Sequence, residues 1–399
     1  MALRDPTPLL GGLSPAGFMR RHWQKKPLRV RGALDPSALG VSRSDLFALA
    51  AQDGVEARLV ERSVDGRWTL RHGPFVRRAL PPLARPGWTL LVQGVDLHLE
   101  SAHRLLARFA FIPGVRLDDL MVSYASAGGG VGPHVDSYDV FLLQVAGRRR
   151  WRIGADARAQ QLALRADVPL RMLAHFECAQ EWLLEPGDML YLPPGWAHDG
   201  VAEGGDCMTA SIGFRSPAAE ELAAALLQRI ADELQDAPQP GGAGPLYRDA
   251  AQSATATPAA MPPALQRFAA RAVAQALADP RRFERALGEW LCEPKPQVVF
   301  DAASPRACAA RLTQGVRLDR RTRMAYDARH VFINGESYRA AGADARLMRT
   351  LADERRLAVA AVRHASAAAR DLLTEWRDAG WLHPTPNDLE EAHAHATAP

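Results

Sequence analysis

Three side chains in this chain of 399 residues have the types and spacing to hold a metal: His134, Asp136 and His198. In an extended segment, residues two apart point to the same face. His134 and Asp136 would therefore present an imidazole and a carboxylate side by side. The pair ends a Gly-rich approach, Gly128-Gly-Gly-Val-Gly-Pro, and His198 ends a Pro193-Pro-Gly-Trp-Ala turn. Two His and one carboxylate on one side of an ion leave the opposite positions open, which is the ligand set of non-haem Fe(II) oxygenases. A lone His-x-Asp arises often by chance, so the weight rests on its setting.

That setting must be built from strands. Between about 85 and 215 the chain reads as short β segments: Leu90-Leu-Val, Met121-Val-Ser-Tyr, Val140-Phe-Leu-Leu-Gln-Val, Arg150-Trp-Arg-Ile, Trp182-Leu-Leu, Met189-Leu-Tyr-Leu and Met208-Thr-Ala-Ser-Ile-Gly-Phe. Turn signals at Ala146-Gly147, Glu185-Pro-Gly-Asp188 and Pro193-Pro-Gly195 divide them. Such spacing predicts a barrel or sandwich, a class that includes the cupin jelly rolls. Upstream, Ser14-Pro15 predicts a capped short helix leading into a strand.

After Ser216-Pro217 the periodicity becomes helical, through Leu222, Leu226, Ile230 and Leu234. The stretch 237–263, rich in Pro, Gly and Ala, reads as an exposed loop. A helix pair over about 264–292 follows, with an apolar stripe through Phe268, Val273, Leu277, Phe283, Leu287 and Trp290. Further on, a helix-like segment at 304–312 precedes a hairpin signal at Asn334-Gly335, and helices are expected over about 343–380. Helices flanking a small hairpin suggest a winged-helix module, which can serve nucleic acid or protein docking; fold alone does not decide. His393 and His395 lie in a tail expected to be disordered rather than metal-binding.

Composition sets the outer bounds. Hydrophobic residues at 47% and charged residues at 24% describe an ordinary globular chain with room for two or three domains. Cys178, Cys207, Cys292 and Cys308 form no Cys-x-x-Cys, so neither a zinc knuckle nor a disulfide framework is suggested. No window approaches the roughly 20 apolar residues of a membrane span, and the cytoplasm is the expected location. The net charge of +4 arises from Arg clusters such as Arg148–Arg150 and Arg317–Arg323. These either suit an anionic, ribonucleoprotein-like environment or reflect an Arg- and Ala-rich genome.

The run Asp118-Asp-Leu-Met-Val-Ser-Tyr through Gly128 to Asp136 and Phe141, then Gly147-Arg-Arg-Arg-Trp-Arg, resembles the bacterial ribosomal oxygenases of the Jumonji-C family. Glu185-Pro-Gly-Asp-Met-Leu-Tyr-Leu-Pro-Pro-Gly-Trp-Ala-His and His22-Trp-Gln-Lys-Lys-Pro are similar to the same group. The resemblance spans 16–216 and is weak beyond it. It implies a mixed α and β chain with a double-stranded β-helix (jelly-roll, cupin) core and N-terminal helices and strands. A Jumonji-C catalytic domain would occupy 1–215, with its core at about 100–215. A helical dimerisation region at 216–292 and a winged-helix-like domain at 293–399 would follow.

The resemblance further implies an Fe(II)- and 2-oxoglutarate-dependent dioxygenase that consumes dioxygen and yields succinate and carbon dioxide. Its substrate would be an arginine of a large-subunit, L-sixteen-like ribosomal protein. His134, Asp136 and His198 would hold the iron, and Arg149 would receive the distal carboxylate of 2-oxoglutarate in a guanidinium fork. Arg148 and Arg150 should point to the opposite face. Ser123 and Ser211 match positions near the co-substrate; Asp118, Asp119 and Tyr138 match the substrate pocket, suiting a cation. Asp139 reads either as support for a ligand His or as part of a surface turn. Trp196-Ala197 departs from the Phe-Pro common in relatives and puts the pocket wall in doubt. Competing readings are a ribosomal histidine hydroxylase or lysine demethylase of the same fold, and a non-catalytic cupin/winged-helix binding protein. A homodimer is expected, no membrane partner is expected, and direct nucleic-acid binding is left open.

Overall fold

In the computed structural model the described residues are 3–156, 162–236, 245–304 and 314–385. Residues 305–312 of the helix-like segment, and His393 with His395, lie outside them. The chain divides into two compact units, Met1–Pro217 and Ala218–Pro399. No helix among the described residues is long and apolar enough to cross a membrane.

The first unit opens with the helix Pro15–Arg21, whose N-terminus is capped by Ser14 Oγ accepting from Gly17 N at 3.1 Å. Nine strands follow: β1 (Leu28–Val30), β2 (Ala57–Arg62), β3 (Trp68–His72), β4 (Trp88–Val92), β5 (Leu117–Ala125), β6 (Asp139–Asp156), β7 (Gln180–Leu184), β8 (Met189–Leu192) and β9 (Trp196–Phe214). They hydrogen-bond in the order β1-β8-β6-β9-β5-β4-β2-β3, with β7 also on β6.

Two strands are longer than the sequence predicts. The segments expected on either side of Ala146-Gly147 form one 18-residue strand, β6, and its partner β9 runs for 19 residues. Gly147 bends β6 without ending it: its φ of 61° and the register shifts around Ala146 mark a bulge. A Cβ at Gly147 would lie 2.9 Å from Asp206 O and from Cys207 Cα, so only glycine fits. The first half of β6 pairs with β8, the second half of β9 pairs with β5, and β7 joins the second half of β6. One pair of bent strands thereby closes the double-stranded β-helix.

Alternation sorts the side chains into two cores. Phe141, Leu143, Ala210, Ile212 and Phe214 face the N-terminal helices together with Phe18, Trp88 and Tyr191. Val140, Leu142, Trp151, Ile153, Leu184, Leu190 and Leu192 form a second cluster on the other face, in the barrel interior. Each large apolar side chain buried this fully contributes about 1.5–3 kcal/mol. The two strands β2 and β3 lie upstream of the region expected to be β-structured; Arg58-Leu-Val-Glu-Arg alternates too briefly to stand out.

The second unit carries helices Ala219–Asp236, Pro263–Leu277 and Pro280–Cys292. Next come β10 (Val316–Leu318), the meander β11 (Met324–Tyr326), β12 (His330–Ile333) and β13 (Glu336–Arg339), then β14 (Arg356–Leu357) and β15 (Leu382–Pro384). Helices Gly342–Glu354, Val359–His364 and Ala367–Asp378 fill the last third of the unit. Asn334 and Gly335, at φ of 48° and 89°, make the predicted tight turn between β12 and β13. Gly288 in the helix Pro280–Cys292 lies directly under Phe332 of the hairpin, where a Cβ would sit 2.3 Å from the ring.

Candidate metal centre

His134, Asp136 and His198 converge, with one ligand atom from each lying within 4.8 Å of the others. His134 Nε2 is 3.9 Å from Asp136 Oδ1, and His198 Nε2 is 3.6 Å from Asp136 Oδ2. His134 pairs with His198 as an isolated antiparallel bridge, and Gly195 N donates to Asp136 O at 2.8 Å. Each imidazole turns its Nδ1 to a carbonyl, His134 to Gly132 O at 2.9 Å and His198 to Trp196 O at 2.8 Å. A carbonyl only accepts, so Nδ1 carries the proton and Nε2 presents its lone pair to the centre. Burial, reinforced by the neighbouring His134, pushes the His198 imidazole down to about 4, which keeps it neutral and able to bind a metal at physiological pH. The donor set suits a divalent first-row metal with open positions.

The glycines before His134 accommodate the protein's own backbone. A Cβ on Gly130 would stand 2.6 Å from Gly200 O, and one on Gly129 would stand 2.3 Å from Trp88 O. The close approach is to the main chain of β4 and β9.

Arg149 faces inward, 5% exposed, while Arg150 pairs outside with Glu181 and Glu203, and Arg148 is exposed. The expected parity holds through the second half of β6. Arg149 Nε and Nη2 are buried with no hydrogen-bond partner, and its Cζ is 5.6 Å from the Trp151 ring centroid. Trp151 in turn lies 5.8 Å from the His198 ring. An orphaned buried guanidinium fork is costly unless an anion completes it.

Ser123 and Ser211 are both buried and share a sheet face: Ser123 pairs with Thr209, and Ser211 with Met121 and Leu142. Leu142 lies in the interior cluster, so both hydroxyls belong to that side. Ser123 Oγ donates to Thr209 O at 3.4 Å. Tyr138 packs on the same cluster, and burial followed by the charges of Asp136, Asp119 and Asp118 holds its phenol strongly protonated.

The acidic pair splits. Asp118 accepts from Arg215 Nε at 2.9 Å in a partly exposed ion pair. Asp119 is buried at 3% exposure, and both its oxygens accept from Gln93 Nε2, at 3.0 and 2.9 Å. Asp139 serves neither expected role. Next to Tyr138 in sequence, it alternates to the other face and is fully buried. Its carboxylate accepts from Tyr191 Oη at 2.6 Å, Gln24 Nε2 at 3.0 Å and Arg116 Nη2 at 3.2 Å. Burial raises its pKa against these partners. At the departure from the family pattern, Trp196 packs on the interior cluster and Ala197 is buried, so the wall is closed by an indole. Sequence reasoning missed Trp151, Gln93 and Arg58; their signal was their alternation with Arg149, Leu91 and Val60.

Residues 104–222 match the JmjC domain, and residues 275–383 match a ROXA-like winged helix. The chain is 42% identical over 205 residues to the Escherichia coli (strain K12) ribosomal protein uL16 3-hydroxylase, covering 51% of this chain and 53% of that protein. It is 31% identical over 215 residues to ribosomal oxygenase 1 of Rattus norvegicus, covering 49% and 34%. These sequence matches thus span at most about half the length of the curated relatives. A crystal structure of E. coli ycfD superposes with a TM-score of 0.79 at 29% identity, covering 93% of this chain and 98% of that one. A structure of E. coli YcfD, a ribosomal oxygenase, in complex with cobalt and 2-oxoglutarate superposes at 0.76 with 28% identity and the same coverage.

Proposed function

We propose, for a chain that belongs to the JmjC-domain family and carries a ROXA-like winged helix, an Fe(II)- and 2-oxoglutarate-dependent hydroxylase acting on an arginine of a large-subunit, uL16-like ribosomal protein. The observation that carries this reading is Arg149, whose buried Nε and Nη2 lack partners in the barrel that also holds His134, Asp136 and His198. A metal triad alone suits many reactions. A triad with an unfilled guanidinium fork suits a co-substrate with one chelating end and one distant carboxylate. The relative solved with cobalt and 2-oxoglutarate supports the same pairing.

His134, Asp136 and His198 hold the ion, with the two Nδ1–H bonds fixing the ring orientations. Arg149 takes the distal carboxylate, and the Ser123 and Ser211 hydroxyls line the same face. Once bound, Fe(II) and 2-oxoglutarate supply the oxidising chemistry with dioxygen, releasing succinate and carbon dioxide. Val140, Leu142, Trp151, Ile153, Leu190 and Leu192 exclude water from the barrel interior. Asp119 and Tyr138 receive the substrate guanidinium, the carboxylate as acceptor and the ring as a face. Asp118, already paired with Arg215, steadies the rim.

A buried carboxylate favours a cationic side chain over a neutral imidazole, which sets arginine ahead of histidine. The orphaned fork of Arg149 argues against a non-catalytic binding protein. The helix Pro263–Leu277 buries none of its side chains within the described residues, and Val273 is 61% and Phe283 49% exposed. A second copy of the chain covering these helices makes the protein a homodimer, which light scattering tests by mass.

The test of function incubates the Fe(II)-loaded protein with 2-oxoglutarate and an arginine peptide from uL16. A gain of one oxygen atom by mass spectrometry, lost in His134→Ala, is expected. No gain, with a gain on a histidine or methyl-lysine peptide instead, overturns the substrate.

A further inference from the structure

We propose that Gln93 is a positioning residue that sets the specificity of this site by separating the chain's own guanidinium, Arg58, from Asp119. The proposal rests on the reading above, in which Asp119 receives a substrate arginine.

The geometry begins in the sheet. Arg58 pairs with Leu91 across β2 and β4, and Leu91 pairs with Ser123 across β4 and β5. Paired residues share a face. Leu59, Leu90 and Val122 lie in the N-terminal core, so Arg58, Leu91 and Ser123 lie on the opposite side, that of the interior cluster. Gln93, two residues beyond Leu91, continues that face and is anchored by its main-chain N to Glu56 O at 2.9 Å.

The chemistry leaves the amide one orientation. Arg58 Nη2 donates to Gln93 Oε1 at 3.1 Å, while Gln93 Nε2 donates to Asp119 Oδ1 and Oδ2 at 3.0 and 2.9 Å. A guanidinium only donates and a carboxylate only accepts, so no flipped amide satisfies both neighbours. Gln93 therefore acts as a polar spacer. It pins the carboxylate plane, and it stands where Arg58 would otherwise meet Asp119. Glu56 holds Arg58 back from the other side, with Nε 3.9 Å from its Oε1.

This arrangement resolves a conflict inherent in recognising arginine. A buried carboxylate attracts any cation within reach, and the chain supplies one two strands away, on β2. Direct pairing of Arg58 with Asp119 would fill the site from within, and an incoming arginine would have to displace it. The neutral amide relays a hydrogen bond from Arg58 without passing on its charge, so the chain's own guanidinium does not pair directly with the carboxylate.

Gln93→Ala removes both functions. Its KM for the arginine peptide should rise about tenfold, whereas its KM for 2-oxoglutarate should move less than about twofold. The double variant Arg58→Ala/Gln93→Ala should recover to within about threefold of wild type, because the competing cation is gone. Gln93→Met keeps the bulk and loses both the amide donor and the carbonyl acceptor, so a smaller rise, about threefold, is expected; it also serves if the alanine variant does not fold. Calorimetric titration of the Mn(II)- and 2-oxoglutarate-loaded proteins with the same peptide should reproduce the order. Wild-type protein that neither binds nor hydroxylates the peptide removes the functional reading itself. Wild-type protein that does both, with Gln93→Ala indistinguishable from it or with no recovery in the double variant, overturns this inference alone.

Discussion

His134 and His198 hydrogen-bond to each other twice through their main chains, His134 N to His198 O at 3.0 Å and His198 N to His134 O at 2.9 Å. Residues paired this way project side chains to one face, which brings the two ring centroids to 4.2 Å. Strand register, rather than a side-chain contact, places both imidazoles. Asp136, two residues on and outside the strands, is held beside them by its main-chain O accepting from Gly195 N at 2.8 Å.

Removing one ring should therefore abolish tight metal binding without disturbing the strands. Even the outer partners of metal ligands are worth about 10–100-fold in affinity, so His198→Ala should weaken Mn(II) binding by at least about 100-fold. Isothermal titration of the purified protein measures this. Affinity within a few-fold of wild type would remove His198 from the ligand set.

Arg149 offers a sharper discrimination between charge and shape. Arg149→Lys keeps the cation and loses the planar fork, so the KM for 2-oxoglutarate should rise about tenfold. With Arg149→Ala it should rise about 100-fold, in line with a lost charge-assisted pair. Equal values for the three proteins would place the distal carboxylate elsewhere.

The glycines of the approach predict a graded stability series. Gly130→Ala drives a Cβ against Gly200 O, backbone that cannot move aside, and should cost about 1–3 kcal/mol. Gly128 has open space but a φ of 71°, so Gly128→Ala should cost about 1–2 kcal/mol from conformation alone. Urea denaturation of both variants gives the comparison, and a neutral Gly130→Ala would contradict the close packing.

The His198 imidazole predicts an acid limb in the stability of the metal-free protein. Its folded pKa of about 4 lies below the ordinary 6.5, so between these values the unfolded chain binds a proton that the folded chain does not. Its contribution is complete above pH 6.5 and declines as pH falls towards 4. The melting temperature should drop across that window, and less so in His198→Ala. Parallel curves for the two proteins would show that His198 titrates normally.

The chain's local spacing determined the parts of the site that depend on parity alone. Arg149 separates from Arg148 and Arg150 because alternate residues of β6 face opposite ways, whereas His134 forms only an isolated bridge and Asp136 lies outside the strands. The hairpin at Asn334-Gly335 was legible because its turn needs positive φ at both residues. Other features depended on partners that lie far away in sequence. Ala146-Gly147 reads as a turn between two strands, but the main chain of Asp206 and Cys207 makes it a bulge within one. Asp118 and Asp119 are equivalent neighbours in sequence, and the fold brings Arg215 to one and Gln93 to the other. Asp139 looked available to the metal site until Tyr191, Gln24 and Arg116 claimed its carboxylate on the far face. Spacing fixes which way a side chain points, because backbone geometry is local. Which charge meets which is decided by pairings between distant strands, and those exist only in the folded sheet.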